Sequence, residues 1–205
     1  MTKKIVLLAF IFFPFSFIKA QDTLRLPLNV TLFNNGTKLP GSGFVGLLTL
    51  PLHPGISAGT EFQLNKNPKK QIIQTATIAY FYHKYAQHGI QLYTETGYRY
   101  CFKIRLTLEA RLGLGYLHSI PATGVYKLDE NGEYENANSF GRPQFILPSA
   151  SFSIAHRLRG TNVSAFFTYQ IWMQIPFVKQ YVPLLPNTSV HIGARIPLNF
   201  SKTKK

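Results

Sequence analysis

Residues 88–102 read HGIQLYTETGYRYCF, and residues 103–118 continue at once as KIRLTLEARLGLGYLH. In the second segment Ile104, Leu106, Leu108, Ala110, Leu112, Leu114 and Tyr116 share one parity, while Arg105, Thr107, Glu109, Arg111, Gly113 and Gly115 share the other. The first repeats the pattern: Ile90, Leu92, Thr94, Thr96, Tyr98, Tyr100 and Phe102 against Gln91, Tyr93, Glu95, Gly97, Arg99 and Cys101. Period-two alternation of this length suits only a β-strand. A strand in a soluble sheet usually has about 5–6 residues. One that crosses a bilayer at a tilt needs about 9–11, apolar toward lipid and polar toward the lumen. Both segments exceed the first length and match the second, so the pair predicts a membrane-spanning β-hairpin.

The remaining composition fits that reading. The 205 residues are enough for one domain. Hydrophobic content is 45%, yet beyond the extreme N-terminus no run of about 20 apolar residues occurs, which excludes spanning by helices. The chain has 17 Phe, 11 Tyr and only 8 acids, with a formal charge of +14. Its Lys and Arg residues are scattered over turns and strand faces, with no basic stripe or recognition motif, so no nucleic-acid partner is expected. Attraction to outer-membrane lipid, including the phosphates of lipopolysaccharide, accounts for the charge better. A lone Cys101 excludes an internal disulfide and a Cys-rich metal site.

Residues 1–20 have the form of a secretory signal: Lys3 and Lys4, the apolar run IVLLAFIFFPFSFI, then Lys19-Ala20. Residues 21–41 form an N-terminal segment that offers one extra strand, because Leu24, Leu26, Leu28, Val30 and Leu32 alternate against Arg25, Pro27, Asn29, Thr31 and Phe33. Residues 42–200 are assigned to the barrel and 201–205 to a basic tail. From Phe44 onward eight strands can be placed, an even number that closes a barrel. Leu24–Phe33 then either pairs at the barrel base as a ninth strand or displaces Phe44–Leu52 as a spanning strand. With the N-terminus periplasmic, the outer connections are 53–55, 85–87, 119–141 and 176–186, two of them long. The inner ones, 65–70, 101–103 and 158–160, are short, as periplasmic turns are. Tyr98, Tyr100, Phe102 and Phe200 are placed at the inner aromatic girdle, with Tyr80, Tyr82, Tyr116 and Tyr169 at the outer one.

The last strand alternates through Val190, Ile192, Ala194, Ile196 and Leu198 and ends on Phe200. Here the chain resembles the small, about eight-stranded outer-membrane β-barrel proteins of Gram-negative bacteria, whose last strand commonly ends on an aromatic read by the assembly machinery. The resemblance implies an all-β fold, a closed antiparallel transmembrane barrel, and is silent about function. Some eight-stranded barrels are lipid A deacylases, with a His-x-Ser pair and a Glu on the outer face near the rim. In this chain His118 and Ser119 are adjacent and so face opposite ways, Ser189 and His191 are in reversed order with an inward phase, and no Glu has the outward parity. The catalytic residues of that family therefore do not carry over.

Two residue sets remain as candidate sites. Glu61, Glu95, Arg99, Arg105, Glu109, Arg111 and Arg195 share the inward parity. An eight-stranded barrel is only wide enough inside for side chains, so these charges are expected to pair and plug the lumen. His53, His83, His88, His118 and His191 gather toward the extracellular rim, where histidine suits a metal or acid–base site but also an interface. No His-x-His or His-x-x-x-His spacing occurs, so no catalytic residue, metal site or cofactor is assigned. Residues 129–135, with Asp129, Glu130, Glu133 and Glu135, resemble a calcium loop in composition but lack its spacing. The 176–186 loop is apolar for a solvated segment and, with 119–141, offers a surface to a protein partner. The function expected is an outer-membrane barrel with a structural or interaction role, an accessory subunit among the options. A lipid A-modifying hydrolase and a small solute pore are the alternatives.

Overall fold

The computed structural model describes residues 25–37, 52–129, 132–136, 140–178 and 181–199. Eight long strands form the wall: β1 (Arg25–Gly36), β2 (Pro54–Gln63), β3 (Lys70–His83), β4 (Gln87–Cys101), β5 (Leu106–Pro121), β8 (Arg142–Arg157), β9 (Ser164–Ile175) and β10 (Leu185–Asn199). They close in the order β1-β10-β9-β8-β5-β4-β3-β2, every neighbour antiparallel. Two short strands, β6 (Tyr126–Leu128) and β7 (Tyr134–Asn136), make a separate hairpin. The hairpin expected from residues 88–118 is β4–β5, in register from Gln87↔Pro121 to Cys101↔Thr107.

Of the two placements open to the N-terminal strand, β1 takes the spanning one. It pairs with β10 from Arg25↔Asn199 to Gly36↔Thr188 and with β2 on its other side. The wall thus begins at Arg25, ahead of the boundary drawn at residue 42. Residues 1–24, residues 44–51 of the proposed Phe44–Leu52 strand, Phe200 and the 201–205 tail lie outside the described residues. A second adjustment concerns the 119–141 loop. Strand β5 continues through Ser119 to Pro121, and the connection beyond it carries the β6–β7 hairpin.

The side-chain distribution is inverted relative to a water-soluble fold. Among the described residues nine hydrophobic side chains are buried against twenty-four polar or charged ones. Ile56, Ile78, Leu92, Leu112, Phe152 and Ile192 stand exposed on the outer wall. Apolar outside and hydrogen-bonded polar inside is the arrangement that hydrocarbon as solvent requires, and closure pairs every strand of the wall on both sides. No helix among the described residues is long and apolar enough to cross a membrane.

One layer inside the wall alternates large and small residues. Phe33 pairs across to Gly55, Gly55 to Phe81, and Phe81 to Gly89. A Cβ at Gly55 would lie 2.3 Å from the Phe33 ring, and one at Gly89 would lie 2.2 Å from the Phe81 ring. The glycines are where these rings lie, which lets bulky aromatics fit a narrow barrel. In β8 the register slips between Ile146 and Ser149. Pro148 falls inside that irregularity, where a residue without an N–H is tolerated.

Candidate functional site

The lumen is built in layers. Nearest the end where β1 begins and β10 ends lies a network of three acids and three arginines. Arg99 donates from Nε to Glu109 at 2.8 Å and from Nη2 to Glu61 at 2.6 Å. Arg195 reaches Glu109 at 2.7 Å and Glu61 at 3.2 Å. Arg111 contacts Glu109 at 3.2 Å and Glu95 at 3.3 Å. Glu95 also accepts from Ser149, Ser151 and Gln170, and Glu61 accepts from Asn29, while Glu109 is held by its three arginines. The formal charges of the six cancel, which offsets the desolvation that burial imposes.

Six of the seven residues expected to face the lumen fall in this network. Arg105 does not. It is exposed in the turn between β4 and β5 with φ 65°, a left-handed conformation that breaks the strand alternation on which its parity was counted.

Above the charges a cavity of about 40 Å³ is lined by Thr31, Ser57, Glu95, Gln170 and His191, among others. Above that comes an apolar layer of Phe33, Phe81, Tyr93, Leu117, Ile146 and Trp172. Phe81 meets Trp172 edge-on at 6.1 Å between ring centroids. The upper layer is amides: Gln174 exchanges hydrogen bonds with Gln87 and donates to Gln144 at 2.6 Å, while Asn35 donates to Asn187 at 3.2 Å.

The five candidate histidines separate into three environments. His191 is buried in the lumen, stacked on Phe33 at 4.6 Å and bonded to Thr31 and Gln170. His53 and His83, buried at the loop end, stack on each other at 3.6 Å. Burial lowers the pKa of His53, opposed by its hydrogen bond to the Asn35 carbonyl. His88 and His118 lie on the outer side, bonded to the hydroxyls of Tyr80 and Tyr116. The rim placement therefore needs correcting for His191, which β10 carries down into the lumen. Among the described residues no three His, Cys, Asp or Glu groups converge as a metal site would require.

The members of the His–Ser pairs considered in the sequence are engaged with other partners. His118 contacts the Phe140 carbonyl, while Ser119 points inward and donates to Gln87. Ser189 donates to Asn35 and accepts from Trp172. Sequence parity did not single out Trp172, Phe81 or Gln174, because alternation marks a side chain as inward without showing which inward residues from distant strands meet in one layer.

The fold defines the class: a closed, antiparallel, eight-stranded β-barrel with a polar lumen and an apolar wall. No protein-family profile matches the chain, and no curated protein sequence is similar to it at a significant level. Among solved structures it is similar to Ail, the attachment invasion locus protein of Yersinia pestis, in complex with the heparin analogue sucrose octasulfate. That match has 11% identity and a TM-score of 0.46 over 87% of this chain and 100% of Ail. It is also similar to Neisserial surface protein A, with 13% identity and a TM-score of 0.45 over 85% and 96% of the two chains. The outer membrane enzyme PagL matches with 9% identity and a TM-score of 0.48 over 84% and 99%.

Proposed function

We propose that the chain is an outer-membrane barrel with a structural or interaction role, which holds its long loops out toward a protein partner. The export-type N-terminus and the apolar wall support the location. The observation that carries the role is the loop end itself, where Tyr85, Tyr126, Tyr134, Phe140 and Tyr181 all stand exposed. Exposed aromatics of this density favour a contact surface over a solvated cap. The reading of the lumen as a plug and not a solute path rests on the charge-neutral network and the apolar layer that face into it.

The test is to place a photo-crosslinking residue at Tyr134 or Tyr181 and recover the protein from native membranes in mild detergent. A specific adduct formed from one of these positions and weakened when the tyrosine at the other becomes serine is the expected result. Discrete conductance in planar bilayers would favour the small solute pore. A change in lipid A mass that depends on this chain would favour the lipid A-modifying hydrolase.

A further inference from the structure

Among the described residues the turn end of the barrel is cationic without compensation. Lys66, Lys69, Lys103, Arg105 and Arg159 lie in its three turns and Lys70 and Arg157 beside them, all exposed, and the turns contain no acid. Every acid of the barrel wall is already engaged in the lumen. Two of the cations are held together: Arg157 donates its backbone N–H to the Arg105 carbonyl at 3.1 Å. Between them lies a shallow pocket of about 320 Å³, lined by Arg105, Arg157, Leu158, Gly160, Thr161 and Asn162. Neither guanidinium has an ion-pair partner among the described residues.

We propose that this pocket binds the phosphate of an anionic membrane phospholipid, one without a headgroup cation to oppose the arginines, with Arg105 and Arg157 as the charged donors and Thr161 and Asn162 completing the rim. Two arginines lining one pocket offer forked guanidinium donors that match phosphate oxygens. The backbone of Arg105 points the same way. A φ of 65° is where glycine or asparagine would sit with less strain. An arginine in that conformation gives a reason to look for function in its side chain.

The neighbours favour a lipid over a free anion. Ile104 is 72% exposed, and Phe102 and Leu158 are also exposed beside the pocket. Apolar side chains next to unpaired cations suit the zone where acyl chains give way to headgroups. The site rests on the membrane-spanning reading given above and goes beyond it, because it lies at the turn end and not among the long loops.

The protein, purified from its membrane in non-ionic detergent, is titrated with phosphatidylglycerol while native mass spectrometry counts bound lipid. One lipid is expected to be retained in preference to phosphatidylcholine. Arg105→Gly with Arg157→Gln should weaken that retention about tenfold or more, since charge-assisted hydrogen bonds of this kind are each worth on the order of a decade. Glycine suits the backbone at 105, so this variant should keep its fold, as read by the gel shift between heated and unheated samples. Lys66→Gln with Lys69→Gln removes the same charge from another turn and should leave retention unchanged. Equal weakening in the two double variants, or no selectivity in the unaltered protein, overturns the pocket. Inorganic phosphate that displaces the lipid at similar concentration overturns the lipid as its occupant. Loss of the heat-dependent shift in the unaltered protein would defeat the barrel reading itself, and is distinguishable from failure of the pocket alone.

Discussion

Arg99 and Glu109 stand directly opposite each other on β4 and β5, with Nε 2.8 Å from Oε1. Glu109 also holds Arg111 and Arg195, so three guanidinium groups converge on one carboxylate. Removing an acid from such a group leaves buried positive charge uncompensated, which costs about 3–5 kcal/mol. Glu109→Gln should lower the urea midpoint of the refolded barrel accordingly. Glu135→Gln, in the exposed β6–β7 hairpin, should change it by less than about 0.5 kcal/mol. Equal midpoints would mean that the network contributes nothing to stability.

The outer wall should reject charge where the lumen accepts small changes. Leu112, 67% exposed on β5, faces hydrocarbon in a spanning barrel, so Leu112→Arg should cost about 2–4 kcal/mol. Thr107→Ser on the opposite face should cost well below that. A refolding titration into lipid vesicles compares the two, and similar values would put the face assignment out of phase.

Gly89 leaves no room for a side chain, since a Cβ would enter the Phe81 ring. Gly89→Ala should destabilise by about 1–3 kcal/mol, the usual range for overpacking. The paired change Gly89→Ala with Phe81→Leu should recover part of that loss. Additive destabilisation in the double variant would show that the ring and the glycine are not coupled.

Acid should weaken the loop end through His53. Its pKa in the folded state lies below the ordinary 6.5, chiefly because it is buried, so the unfolded chain takes up the proton more readily. Stability contributed above about pH 6.5 is therefore lost as pH falls from there through the lower folded value. Replacing His53 by Asn should flatten the pH dependence of the unfolding midpoint in that window. An unchanged profile would assign the acid sensitivity to other groups.

Much of the wall was legible because lipid on one side and polar side chains on the other impose strict alternation. The parity of Glu95, Arg99, Glu109 and Arg111 placed all four inside, and cross-strand register then brought them together. Arg105 escaped the rule because its alternation ends at a turn, and a positive φ leaves no mark in the hydrophobic pattern. The choice between Leu24–Phe33 and Phe44–Leu52 was equally illegible, since both are apolar segments of strand length. The His53–His83 stack depends on β1, β2 and β3 lying side by side at the loop end, a relationship between distant segments that no local spacing records.

Closure of the wall by Arg25↔Asn199 through Gly36↔Thr188 makes the first and last strands partners. The barrel therefore cannot complete itself until β10 has been delivered, and pairing β10 with β1 closes the longest loop in the wall. The same adjacency leaves the two ends of the wall side by side at one rim. A short peptide joining them, with new ends opened in the β6–β7 hairpin, would preserve every wall pairing while changing which strand arrives last.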